Sequence, residues 1–171
     1  MKIKKNCAAY ILVLFLGFSI GFPCGKIFAE SEIETHIAEQ TNYYLLLVEQ
    51  DLRHYLSQSQ ISEKYLEEII QYNSHLLAYI NSVDYLDFKK SGEDVAYINL
   101  IYEFLNAFNH MLNTIIFCNS SQTVSVGRSL LNDIYQTFYM DLEKSTDPIY
   151  ELYNNINTEH GLSLVETIKN Y

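Results

Sequence analysis

The sequence predicts an all-α protein, an up-down four-helix bundle with a short C-terminal helical extension, preceded by an N-terminal signal peptide. Three observations support this fold class. Apolar residues recur at alternating spacings of three and four along most of the chain, which is the period of an amphipathic helix. No segment alternates apolar and polar residues as a half-buried strand does. Only two prolines occur, one of them within the first thirty residues, so little interrupts the helical pattern.

The first 29 residues follow the order of a secretory signal peptide. A lysine-rich beginning precedes an apolar run over residues 7–22, and Ala29 is an acceptable residue before a cleavage site. We therefore expect residues 1–29 to be removed and residues 30–171 to form a single all-helical domain. The alternative is an uncleaved anchor to the inner membrane through residues 7–22, although this run is shorter than the roughly 20 residues of a typical span.

The first two helices of the mature chain are predicted from stripes of mainly apolar residues, spaced three and four apart, that would face the core. The first runs from Glu32 to Leu56 and begins at a capping box of Ser31 and Glu34. Its stripe is Ala38, Thr41, Leu45, Val48, Leu52 and Tyr55. The second runs from 62 to 88, and its stripe is Tyr65, Ile69, Tyr72, Leu76, Tyr79, Val83 and Leu86. Neighbouring apolar residues widen the second stripe, which indicates a helix that packs against two others.

The next two long helices complete the predicted bundle. The third begins near Ser91 and ends at Asn119, a plausible left-handed C-cap. Its stripe is Ile98, Ile101, Leu105, Phe108, Leu112 and Ile115. The fourth runs from Val124 to Lys144, with Leu131, Ile134, Phe138 and Leu142 directed inward. Short connections between long helices favour antiparallel neighbours, and this favours the up-down arrangement.

The C-terminal extension is predicted from capping residues. Asp147 and Pro148 suit the first turn of a short helix, whose apolar face is Ile149, Leu152, Tyr153 and Ile156. We expect Gly161 to end this helix. Ser163 and Glu166 form a further capping box, which predicts a last short helix through Ile168.

The charge of the chain excludes some partners. The full sequence has a net charge of −10, and removing residues 1–29 takes four lysines and no acidic residue, which leaves −14. Such a surface repels the phosphates of nucleic acids and anionic lipids, so we expect no nucleic-acid partner and membrane contact only through an uncleaved N-terminal segment. The acidic residues are typical of a solvated coat, and they would favour a basic partner.

No arrangement of residues in the sequence points to a cofactor or to catalysis. Of the five histidines, only His54 has a carboxylate, Asp51, three residues before it, so we expect surface histidines, no metal and no cofactor. The sequence contains neither a Gly-x-Ser-x-Gly motif nor a glycine-rich phosphate loop. Cys118 is the single cysteine after residue 29, which makes it a candidate for an intermolecular disulfide. Because it follows three apolar residues, we expect its side chain to be buried.

Tyrosine is the unusual component, with 15 residues and no tryptophan. Tyr65, Tyr72 and Tyr79 repeat every seven residues, which suits either the edge of a core or an interaction face. We take these three as the candidate interaction face. The resulting hypothesis is an exported, non-enzymatic protein-interaction or structural component, periplasmic or extracellular, which binds a partner or self-associates.

Two other functions stay open. One is a binding protein for a small apolar ligand held between helices. The other is an enzyme of unrecognised type, which would require an inward-facing cluster of residues such as Asp51, His54 and Glu103 with perturbed pKa values.

Overall fold

The computed structural model describes His36 and four longer segments of the chain. The segments are 39–58, 62–87, 92–118 and 120–171, with the side chains of 82–96 and 121 outside the description. Every regular element in these segments is a helix, so the predicted all-α class is confirmed. Glu39–Tyr171 form one compact unit. The predicted signal peptide, the Ser31 capping box, the Asn119 cap and the inward side chains of Val83 and Leu86 all lie outside the described parts.

Six α-helices occur in the described residues, where the sequence predicts four long ones and an extension. Their bounds are 39–57 for α1, Glu63–Asp87 for α2, Gly92–Cys118 for α3, Ser121–Ile134 for α4, Pro148–Ile156 for α5 and Glu159–Lys169 for α6. A π-helical turn, Tyr135–Tyr139, and a 3-10 turn, Leu142–Lys144, lie between α4 and α5. No helix in the described segments is both long and apolar enough to span a bilayer.

The core lies around α3, which contacts α2, α4, α5 and α6. All six stripe residues of α3 are buried, because one face of this helix is apolar from Ile98 to Ile115. The described stripe residues of α1 are buried as well. Leu152 and Ile156 of α5 and Leu164, Val165 and Ile168 of α6 belong to the same core. The two C-terminal helices are therefore part of the core and not an appendage to it.

The prediction of a single helix over 124–144 is wrong, because the chain leaves the α-helical path after Ile134. The four residues predicted to point inward are all buried, but the π-helical turn and a left-handed Asp141 (φ 74°) lie among them. A π-turn inserts an extra residue into the helix and shifts the side chains that follow. The 3-10 turn that follows contacts α1. Glu49 of α1, only 2% exposed, accepts a hydrogen bond from the Glu143 amide at 3.1 Å.

The prediction that Gly161 ends a helix is also wrong. α5 ends at Ile156, and Thr158 caps α6 by accepting a hydrogen bond from the Gly161 amide at 2.9 Å. Gly161 lies inside α6, where an added Cβ would be 2.6 Å from the carbonyl oxygen of Ile156 and closer still to that of Asn155. Glycine is needed here because two helix ends approach closely, and Ser163 does not begin the last helix.

Candidate functional site

The three predicted tyrosines lie along one edge of α2 and are half-buried. Ile69 and Leu76, which alternate with them in the stripe, are fully buried. Tyrosine suits this edge because its ring covers apolar neighbours while its hydroxyl reaches water. The three side chains therefore contribute to packing between helices, and their role as an interaction face stays a prediction.

Tyr44 of α1 joins two of the predicted tyrosines into a cluster. Its ring centroid lies 6.2 Å from that of Tyr72, 5.9 Å from that of Tyr79, and 4.9 Å from the His75 ring, on which it stacks. Tyr43 meets the edge of Tyr44 at 5.5 Å and is 55% exposed. We call these five residues the aromatic strip.

Three members of the aromatic strip are not evident from the stripe of α2 alone. Tyr43 and Tyr44 are consecutive on α1, so only their pairing with another helix could reveal that they join the α2 tyrosines. His75 lies between Tyr72 and Tyr79 at spacings of three and four, and this is the signal that places it on the same face.

Tyr65 lies apart from the aromatic strip. Its ring is 6.0 Å from that of His54, and its hydroxyl accepts a hydrogen bond from Gln58 at 3.3 Å. Along α2 it precedes Tyr72 by seven residues, or about 10 Å at the rise of an α-helix. The predicted face is thus divided between two neighbourhoods of the α1–α2 seam.

Two carboxylates lie in the seam beside these tyrosines. Partial burial raises the pKa of Asp51 above its usual 3.8, and the nearby charge of Glu68 raises it further. Burial also raises the pKa of Tyr72, and the charges of Asp51 and Glu68 add to this shift. This part of the seam is consequently negative and does not favour ionisation of the tyrosine.

The three residues that an enzyme hypothesis would require do not form one site. Asp51 and His54 are near each other on α1, where His54 is exposed. Glu103 is on α3, and its carboxylate accepts a hydrogen bond from Lys169 of α6 at 3.1 Å. Asp51 and His54 therefore lie on α1, whereas Glu103 of α3 is paired with α6.

The prediction that Cys118 is buried is wrong. Its side chain is exposed at the last residue of α3, and the preceding Phe117 is 82% exposed. The three apolar residues before it do not bury it, because Ile115 faces the core while the next residues turn away from it along the helix. An exposed thiol is accessible for an intermolecular disulfide, which stays a prediction.

All five histidines are exposed, as the sequence predicts. Within the described part of the chain, no group of three histidine, cysteine or acidic side chains is arranged to hold a metal ion.

Comparisons with known proteins assign no relationship to this arrangement of helices and tyrosines. No family model, no curated protein and no solved structure matches the chain.

Proposed function

We propose that the chain is an exported, non-enzymatic protein of the bacterial envelope or exterior that binds a protein partner through the aromatic strip. The observation that carries this proposal is the ring cluster centred on Tyr44, with Tyr43 exposed beside it. Tyrosine is enriched in the cores of protein interfaces, because it supplies a large rigid contact area and a hydroxyl that can hydrogen-bond.

The charge around the aromatic strip supports a basic partner. Asp51 and Glu68 lie next to Tyr72, and their pairing with cations is incomplete, since Lys64 approaches Glu68 only at 3.5 Å with an exposed side chain. Positive side chains on a partner would meet an only partly compensated negative edge beside the aromatic strip. Complementary charge of this kind accelerates association and excludes acidic competitors.

Site-specific photo-crosslinking in the producing cells tests the proposal. A photo-reactive residue at Tyr43 should form a covalent adduct with a distinct, basic protein. Tyr150 on α5 is the matched control, because it is 54% exposed against 55% for Tyr43. Adducts at Tyr43 but not at Tyr150 support the aromatic strip, whereas no adduct at Tyr43, or the same adducts at both positions, contradicts it.

Export is supported by the lysine-rich beginning and the apolar run over residues 7–22. Cell fractionation followed by intact-mass measurement tests it. We expect a chain that begins at Glu30, or within a few residues of it, in the exported fraction. A chain that begins at Met1 in the membrane fraction favours the anchor, and a complete chain in the cytosolic fraction contradicts export.

We also propose that α1–α4 are arranged as an up-down four-helix bundle whose core is completed by α5 and α6. The support comes from contacts between two pairs of helices, α1 with α2 and α1 with α4. Tyr44 meets Tyr79 while Gln58 meets Tyr65, so α1 and α2 are antiparallel along this seam. Arg128, at the middle of α4, donates hydrogen bonds to carbonyl groups at the C-terminal end of α1. Further along the chain the Glu143 amide donates to Glu49, nearer the beginning of α1, which indicates opposite directions.

Spin labels on Lys144 paired with either Gln50 or Ser57 test this arrangement in a background in which Cys118 is replaced by serine. All three positions are exposed. If the chain after Arg128 runs antiparallel to α1, the Gln50–Lys144 distance is the shorter one, because the Glu143 amide contacts Glu49. A parallel course would carry Lys144 past the end of α1, and the Ser57–Lys144 distance would then be the shorter one.

A further inference from the structure

One part of the sequence differs from the rest in charge. The chain has 21 acidic residues, yet residues 104–132 contain none. This segment covers the second half of α3, the turn after it and most of α4. Two copies of a protein with net charge −10 repel each other at most surfaces, and the repulsion is weakest where acidic groups are absent.

The one cation in this segment is used within the molecule. Arg128 donates a hydrogen bond to the Leu56 carbonyl at 2.8 Å and another to the Gln58 carbonyl. Its guanidinium also lies over the Tyr55 ring at 5.6 Å from the centroid. The segment therefore presents neither an acidic patch nor a free cation to an acidic or basic partner.

Apolar side chains are exposed where α3 ends and α4 begins. Phe117 has the largest exposed fraction of any large apolar side chain in the described residues, and Val126 is 52% exposed. Both lie within one helical turn of the close approach between Ile115 of α3 and Gly127 of α4. The exposed polar side chains between them, Ser120, Gln122 and Ser125, are uncharged. We call this surface the acid-free corner.

We propose that the acid-free corner is the docking surface for a second copy of this chain. An uncharged apolar patch is compatible with itself, and a two-fold dimer places the same patch of both subunits in contact. A basic partner would gain no charge complementarity there and would be attracted to the acidic remainder of the surface instead. Pairing at this corner also keeps the acidic surfaces of the two copies apart. This proposal goes beyond the binding of a partner at the aromatic strip and does not depend on it.

Sedimentation velocity over a range of protein concentrations tests this inference. The protein is produced from residue 1, purified in the form that the cell yields, and kept in reductant so that Cys118 cannot cross-link. We expect a reversible dimer whose affinity increases with salt. Raising NaCl from about 10 mM to about 1 M shortens the screening length from roughly 30 Å to about 3 Å and weakens the repulsion between the copies.

Variants of the corner separate docking from general charge repulsion. Phe117→Asp should raise the dimer dissociation constant about tenfold or more, and Phe117→Ser should also raise it without adding charge. Leu162→Asp makes the same charge change at an exposed apolar residue of α6 and should have a much smaller effect. Unchanged circular dichroism of the Phe117 variants shows that the fold persists, as expected for an exposed residue.

Three results would overturn the proposal. The first is a monomer at every concentration and salt tested. The second is an equal weakening by Phe117→Asp and Leu162→Asp, which would locate the interface elsewhere. The third is a monomeric chain that floats with neutral phosphatidylcholine vesicles and loses this property in Phe117→Asp, which would assign the corner to a lipid surface. Loss of dimer in Phe117→Asp alone supports the docking surface.

Discussion

Replacing Gly161 with alanine should destabilise the protein, although the same change inside an unobstructed helix stabilises it. Alanine is favoured over glycine in helix interiors by about 0.5–1 kcal/mol. Against this gain, the new methyl group would lie 2.6 Å from the Ile156 carbonyl oxygen and closer to that of Asn155. Both obstacles are backbone atoms at the end of α5, so no side-chain rotation can relieve the contact. Overpacking of this kind costs about 1–3 kcal/mol.

Because both contacts are with backbone, we expect the upper part of this range, which leaves a net loss of about 1–2 kcal/mol after the helix preference is subtracted. For a domain of about 140 residues, that corresponds to a decrease in the melting temperature of roughly 3–7 °C. Thermal unfolding followed by circular dichroism at 222 nm (the usual helix signal) measures the change.

Gly127→Ala is the matched control. Its added methyl group would also be close to neighbours, 2.7 Å from Ile115 Cδ1 and 2.8 Å from the Tyr171 hydroxyl. Ile115 Cγ1 is also at 2.7 Å. All these neighbours are side-chain atoms, which can shift where a backbone cannot, so the loss of stability should be smaller than for Gly161→Ala. A Gly161→Ala variant that is as stable as the original protein, or more stable, would show that the Ile156 and Asn155 carbonyl groups do not obstruct the added methyl group.

Three further predictions concern two partly buried carboxylates, Glu49 and Asp51, and the exposed Cys118. Glu49→Ala leaves the part-buried amide of Glu143 without its acceptor, and should reduce the free energy of unfolding in urea by about 1–2 kcal/mol. Burial raises the pKa of Glu49 above 4.5 and that of Asp51 above 3.8, so the folded state retains protons that the unfolded state has released. Their contribution to stability is therefore lost as pH rises through the folded pKa values. Glu49→Gln removes the part that Glu49 contributes, so the stability of the variant relative to the original protein should increase as pH rises above 4.5. A relative stability that decreases over this range would contradict this. Finally, Cys118 in the folded protein should react with a thiol reagent as fast as in the urea-unfolded chain, and a strongly protected thiol would show that it is covered.

Periodicity predicts the core well because burial follows the helical repeat. Ile98, Ile101 and Leu105 are buried in α3 as their spacing requires, and the same holds for Leu45 and Leu52 in α1. On α2 the repeat also separates two kinds of residue, fully buried aliphatic side chains and half-buried tyrosines, which differ in whether the side chain carries a polar end.

Helix ends are predicted less well because they depend on contacts distant in sequence. Leu131 and Phe138 point inward as predicted, but the inward pattern continues across the π-turn and cannot reveal it. Gly161 has the same sequence signature whether it ends a helix or allows two helices to approach closely. Only the position of the α5 carbonyl groups distinguishes these two roles.

The candidate site was predictable only in part for a similar reason. The seven-residue repeat identifies Tyr72 and Tyr79 as neighbours on one face. It cannot identify Tyr44 as the residue that joins them, because this depends on the register between α1 and α2. The exposure of Phe117 likewise depends on which helix covers the end of α3, which local sequence does not specify.

Radical footprinting of tyrosines tests most directly whether the aromatic strip is a binding surface and not only the edge of a core. Tyr43 and Tyr150 are exposed to almost the same extent, so both should label equally in the purified protein. We expect Tyr43 to be protected in the envelope of producing cells while Tyr150 labels as before. Equal labelling of the two tyrosines in cells and in the purified protein would contradict it.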